Sequence, residues 1–241
     1  MKKIIQILIA KITFYRDYIL FRRLSIRGDR RFPVIWKDRY PCFSENTAVT
    51  TFDGHYVYHT AWAARILSQT QPQLHVDISS SLFFSSIVSA FITMSYYDFR
   101  PPLLQLRNLE INHADITNLS FANDSVASLS CMHVVEHIGL GRYGDSLDPG
   151  GDTKAIDELK RVLSPGGDLL LVVPVGVPKV MFNAHRIYSY DQIVGNFAGF
   201  TLVEFSLIPD DYYKYGIIDN AAAELVQGQK YGCGCFWFKK N

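Results

Sequence analysis

The sequence predicts an α/β chain built on a doubly wound, mostly parallel sheet, preceded by a basic helical extension. Three observations lead there. Val126 to Met132 is a short, mostly apolar run behind the turn Ala122-Asn123-Asp124-Ser125, the pattern of a buried strand. Leu169 to Val173 is a second such run, launched by Ser164-Pro165-Gly166-Gly167. Between them, Thr153 to Leu163 places Ile156, Leu159, Val162 and Leu163 on one helical face, with Asp152 or Thr153 available as the cap. Strand, helix, turn and strand in that order form a parallel crossover unit, and parallel sheets hold ligands at the carboxyl ends of their strands.

The other elements follow in order. Residues 1–52 read as an N-terminal extension and residues 53–241 as a Rossmann-like domain. Tyr56 to Gln69 reads as a helix ended by Gln71-Pro72. Leu74 to Ile78 is a first strand, and Ser79-Ser80-Ser81 leads into an apolar helix through Phe91. Thr93 to Tyr97 and Leu109 to His113 are the next strands, and the two runs above are the fourth and fifth. A helix near Asp191 to Phe197, a strand at Phe200 to Leu207 and a last strand at Gly232 to Phe238 complete five strand-then-helix units and a closing pair. Ala221 to Gln227 is the candidate helix before the last strand.

A hydrophobic share of 48% and a charged share of 20% describe a folded chain and exclude a disordered one. The net charge of +1 conceals an asymmetry: residues 1–40 hold eleven Lys and Arg against three Asp, so they carry +8 and the remainder −7. Four cysteines in 241 residues make no disulfide framework, which fits a reducing cytoplasm. Cys233 and Cys235 alternate in a strand, so they share a face and are expected to pack rather than to bind metal.

The apolar run after Met1-Lys2-Lys3 stops at Lys11, too short to span a membrane and without a cleavage site for export. Ile4, Ile5, Leu8, Ile12, Tyr15, Ile19 and Leu20 recur at helical spacing among basic residues, and Arg22, Arg23, Arg27, Arg30 and Arg31 follow. Two readings stay open for residues 1–31: a peripheral helix on an anionic membrane surface, or a helix docking on its own domain or on another subunit, including a second copy. No fold module for nucleic acid is visible, so no nucleic-acid partner is expected.

Chemistry-bearing residues cluster at the predicted strand ends. Asp77 closes the first strand, Asp98 the second, and Asp115 follows the third; a carboxylate there can accept both hydroxyls of a ribose. The loop after the fourth strand carries His133, Glu136, His137, Arg142 and Asp145 among glycines from Gly139 to Gly151, a content that predicts a loop ordered by substrate.

With Asp77 and Asp98 at successive strand ends, ADITNLSFANDSVASLSCMHVVEH and then ELKRVLSPGGDLLLVVP, residues 70–210 resemble the class I S-adenosylmethionine-dependent methyltransferases. The resemblance implies S-adenosylmethionine as cofactor. It further implies that Asp77 anchors the nucleotide loop, that Asp98 holds the ribose, that Asp115 with Ile116 brackets adenine, and that Ser79, Ser81 and His133 line the rest of the cofactor site. One departure stands out: the family places glycines after its first Asp, and this chain has Asp77-Ile78-Ser79-Ser80-Ser81. EHIGLGRYGDSLDPGGD and FNAHRIYS resemble an uncharacterised bacterial group associated with surface-polysaccharide genes, which implies O-methylation of a sugar or glycan precursor.

Methyl transfer to a hydroxyl needs alignment and a base. His137 is the candidate base, Glu136 its orienting partner and His185 the second choice, while Arg142, Asp145 and Arg186 are the candidate acceptor contacts. Two other readings remain: a non-catalytic scaffold or regulatory subunit on the same fold, and a zinc hydrolase. His133, Glu136 and His137 fit the His-x-x-Glu-His pattern of inverted zinc peptidases, but no third ligand is identifiable, and no metal set is assigned.

Overall fold

The computed structural model describes residues 2–28, 31–43 and 45–241, so Met1 and Arg30 lie outside the described residues. The chain divides into two compact units, Met1–Phe52 and Asp53–Asn241. In the first, helix α1 runs Lys2–Arg27, and Trp36, on a short 3-10 turn, packs against Tyr15 and Tyr18 at ring-centroid distances of 4.7 and 4.8 Å. The expected apolar stripe of α1 is exposed, but so are Ile7, Ile9, Phe21 and Leu24 off that stripe, so apolar side chains surround the helix. No helix among the described residues is long and apolar enough to cross a membrane.

The second unit opens with α2 (Gly54–Thr70), whose Asp53 carboxylate accepts the N–H of Tyr56 and caps the helix. There follow β1 (Leu74–Ile78), α3 (Leu82–Val88), β2 (Thr93–Asp98), β3 (Leu109–His113), β4 (Val126–Met132), α4 (Gly151–Val162) and β5 (Leu163–Val175). A small hairpin of β6 (Lys179–Met181) and β7 (His185–Ile187) precedes α5 (Tyr190–Asn196), β8 (Phe200–Ile208), the one-turn α6 (Tyr212–Tyr215) and β9 (Gly232–Lys240). The main sheet has the order β3-β2-β1-β4-β5-β9-β8. Strands β1 to β5 are all parallel, and β9 runs antiparallel to both β5 and β8.

Period-2 alternation divides the core between the two faces of this sheet. Leu169, Leu171, Val173 and Val175 of β5 pack with Ile156, Leu159 and Val162 of α4, while Leu170 and Val172 pack with Trp62, Ile66 and Leu67 of α2 and Phe84 of α3. Each such aliphatic side chain stabilises the fold by about 1.5–3 kcal/mol on burial, so both helical layers are committed to the sheet.

Several expectations need correction. The connections β2–β3 and β3–β4 carry no helix, so the units are fewer than five. Arg161 of α4 holds the second connection instead, donating to the carbonyl oxygens of Leu119 and Phe121 while bound to Glu158, which accepts the N–H of Leu119. Helix α3 ends at Val88 rather than Phe91. The segment before β9 is a 3-10 turn, Ala223–Gly228, because an antiparallel return needs no crossover helix. Helix α4 has Gly150 at its cap; Asp152 instead accepts the hydroxyl of Tyr188.

Candidate functional site

A cavity of about 440 Å³ opens at the carboxyl ends of β1 to β4, where the strand order reverses. That is the position ligands take in open α/β sheets, and the volume suits a small molecule. Its walls include Ser79, Asp98, Asp115, Ile116, His133, His137 and Asp145. Of the expected cofactor residues, Asp77 lies beneath this wall and Ser81 forms no part of it.

The β1–α3 turn is built without glycine, yet Ser79 adopts φ +54°. That left-handed conformation is the one glycine usually supplies. The strain is compensated by Ser79 N–H, which donates at 2.8 Å to the carbonyl oxygen of Tyr97, with its hydroxyl at 3.2 Å from the same acceptor. Ser80 accepts the N–H of Met132. Below them Asp77 is buried and accepts hydroxyls from Ser85 and Ser130, tying the start of α3 to β4; burial pushes its carboxyl up to about 6. Ser130 also contacts His75, whose ring spans Ser128 and Ser130 at 2.7 and 2.9 Å and is pushed down to about 3 by burial.

Asp98 accepts the Tyr96 hydroxyl at 3.1 Å and the N–H of Arg100 at 2.7 Å. Asp115 accepts both the N–H and the hydroxyl of Thr117, which holds its carboxylate at the turn beside buried Ile116. These bonds fix both carboxylates at the rim while leaving lone pairs for a ligand.

The loop after β4 is pinned throughout. Asp145 accepts the N–H groups of Gly139, Gly141 and Tyr143; burial would raise its carboxyl, but those donors hold it below the usual carboxylate range. Gly139 has φ +80°, and a Cβ there would lie 2.0 Å from the carbonyl oxygen of Asp148, so only glycine fits. Arg186 is buried, donating to the carbonyl oxygens of Ile138 and Pro149 beside Asp152, and so clamps this loop instead of gripping an acceptor. Arg142 is exposed, donates to the carbonyl oxygen of Ala184 and lies over Tyr143.

His133 and His137 do not share an α-helical face, because Val135–His137 is a 3-10 turn and His133 precedes it at φ +58°. The helical ligand pair of a zinc peptidase is therefore not formed. His137 Nδ1 lies 2.6 Å from the carbonyl oxygen of Ala184 and 3.3 Å from Arg142 Nη1; the shorter contact favours a proton on Nδ1, which in the neutral ring leaves the lone pair on Nε2. Glu136 is buried with Oε1 at 2.8 Å from His133 Nδ1 and 3.7 Å from His137 Nε2, so it serves His133 first. His185 lies 6.4 Å from His137 between ring centroids and is lowered by burial and by that neighbour.

The structure also gathers residues that sequence reasoning did not join. His133 Nε2 lies 3.4 Å from Cys233 Sγ, and the rings of His55 and His59 lie 5.3 and 5.1 Å from His133. Burial pushes His55 down to about 4, holds His59 well below the usual imidazole range and raises the Cys233 thiol, which favours the neutral form of each. Tyr231 stacks on His55 at 4.9 Å. The spacing of His55 and His59, one helical turn apart on α2, was the available signal.

Residues 93–210 match the family described as "Caenorhabditis protein of unknown function, DUF268". No curated protein matches the chain. Solved structures do. The N-methyltransferase NodS from Bradyrhizobium japonicum WM9, in complex with S-adenosyl-L-homocysteine, aligns with a TM-score of 0.55 at 14% identity, over 78% of this chain and 87% of that one. Protein YcgJ from Bacillus subtilis aligns at 0.53 and 14% identity, over 77% and 99%. The 1,6-didemethyltoxoflavin-N1-methyltransferase from Burkholderia thailandensis, with its acceptor and S-adenosylhomocysteine bound, aligns at 0.53 and 11% identity, over 76% and 79%. At these identities the likeness shows the fold, which is that of the class I methyltransferases.

Proposed function

We propose that the chain is an S-adenosylmethionine-dependent methyltransferase that binds its cofactor in the cavity above β1 to β4. One observation carries the reading: Ser79 takes the left-handed backbone that the glycine-free turn otherwise lacks, with φ +54°. The turn therefore follows a backbone path that glycine usually supplies, which supports a cofactor seated above it. Asp98 would accept ribose hydroxyls, and Asp115 with Ile116 would hold adenine.

The cofactor supplies an electrophilic methyl group; what the chain supplies is alignment and a base. His137, with its lone pair on Nε2 and its ring on the cavity wall, suits an acceptor whose hydroxyl must lose a proton. A sugar or glycan precursor is the acceptor class we propose, following the resemblance of the loop sequence.

Calorimetric titration with S-adenosylmethionine and S-adenosylhomocysteine tests the reading. Micromolar binding, abolished in a folded Asp98→Ala variant, supports it. Absence of heat with either ligand in the folded protein overturns it in favour of a non-catalytic methyltransferase-fold scaffold.

A further inference from the structure

The ring cluster behind the cavity wall has the composition of a metal centre. His55 on α2, His133 after β4 and Cys233 on β9 each offer a ligand atom, these atoms lie within 4.8 Å of one another, and all three residues are buried. We propose that His55, His133 and Cys233 bind one divalent transition-metal ion of borderline softness, for which zinc is the best match, independently of methyl transfer.

Three features support it. The first is distance: bonds of about 2.0–2.1 Å to nitrogen and about 2.3 Å to sulfur at the tetrahedral angle set N and S about 3.6 Å apart. His133 Nε2 and Cys233 Sγ are 3.4 Å apart, so both reach a common ion with little movement. The second is orientation. His133 Nδ1 donates to Glu136 at 2.8 Å, which places the lone pair on Nε2, toward the sulfur. A carboxylate behind the ring is the arrangement that orients and strengthens metal-bound imidazoles.

The third is an under-paired ring. His59 is fully buried beside His133, and the backbone of His55 one turn back gives its ring at most one weak partner. A buried imidazole with an unpaired nitrogen is costly, and a water brought in by a metal ion beside it is one means of pairing it. Two nitrogens and one sulfur leave the fourth coordination position open, as in sites that take water or substrate. Binding forms the metal–sulfur bond as the Cys233 S–H bond breaks, and the proton leaves to solvent.

The experiment uses the full chain, stripped with a chelator and reloaded with zinc, then separately with cobalt(II). The expected result is one zinc per chain and a thiolate-to-cobalt charge-transfer absorption that vanishes in Cys233→Ala and persists in Cys42→Ser, whose thiol is exposed. His55→Asn covers the case in which Cys233→Ala does not fold: it is expected to lose zinc and to lose the zinc-dependent rise in melting temperature seen in the parent. A folded parent chain that retains no zinc and shows no charge-transfer band overturns the proposal. So does a band that survives Cys233→Ala. None of these readouts depends on binding of S-adenosylmethionine.

Discussion

Arg186 donates a 2.6 Å hydrogen bond to the carbonyl oxygen of Ile138 and a 3.1 Å bond to that of Pro149, so one buried guanidinium joins the two ends of the glycine-rich loop. Asp152 lies 3.5 Å from its Nε. Truncation would leave those carbonyls unpaired and Asp152, which is half-buried, with only the Tyr188 hydroxyl. Arg186→Ala is therefore expected to cost about 3 kcal/mol in urea unfolding and to speed proteolysis within residues 139–151. Arg186→Lys recovers little of this, because an ammonium cannot span the fork. Unchanged stability with weakened acceptor binding would return Arg186 to the acceptor contacts.

Ser79 tests the turn that replaces glycine. Ser79→Gly relieves about 1 kcal/mol of left-handed strain and loses a hydroxyl bond of similar worth, so its stability stays within about 1 kcal/mol of the parent and cofactor affinity is retained. Ser79→Val places a β-branched residue at φ +54° and is expected to destabilise by about 1–3 kcal/mol with weakened binding. Thermal melts and calorimetry on both variants decide it. Equal behaviour of the two would remove the turn from the argument.

His75 predicts a pH dependence. Its folded pKa is pushed down to about 3 from 6.5, so below pH 6.5 the unfolded chain takes a proton that the folded chain refuses. Stability present above pH 6.5 is lost as pH falls, by about 1.4 kcal/mol per pH unit for this group. Asp77 acts oppositely: raised to about 6 from 3.8, it adds stability as pH falls from 6 toward 3.8. Unfolding free energies between pH 6 and 4 should have a slope smaller by about one proton in His75→Gln than in the parent. An unchanged slope would mean that the ring is not held neutral.

His137→Ala isolates the base. The variant is expected to fold, to bind S-adenosylmethionine as the parent does, and to lose about 10²–10⁴-fold in turnover once an acceptor is in hand. Undiminished turnover would transfer the role to another group on the cavity wall.

The fold was legible where the signal is local. The β4–α4–β5 unit shows in the sequence as two apolar runs around a 3.6-residue period, and strands β1 to β4 lie within a residue of their expected bounds. The strand-end carboxylates Asp98 and Asp115 were legible for the same reason, since a strand's end fixes the turn that follows it. The role of Arg186 was not. A basic residue near a loop reads alike whether its donors face substrate or backbone carbonyls, and only packing distinguishes the two.

By itself, then, the sequence determined where the strands and the β4–α4–β5 crossover lie and the placing of polar residues at the cavity, because period and turn chemistry act over a few neighbouring residues. Only the tertiary structure decided which histidines meet. His55, His133 and Cys233 stand on α2, on the turn after β4 and on β9, and they converge because β9 inserts beside β5 and α2 packs over that face. Such insertion follows from sheet order, which is a property of strand pairing across the whole chain and leaves no periodicity in the sequence.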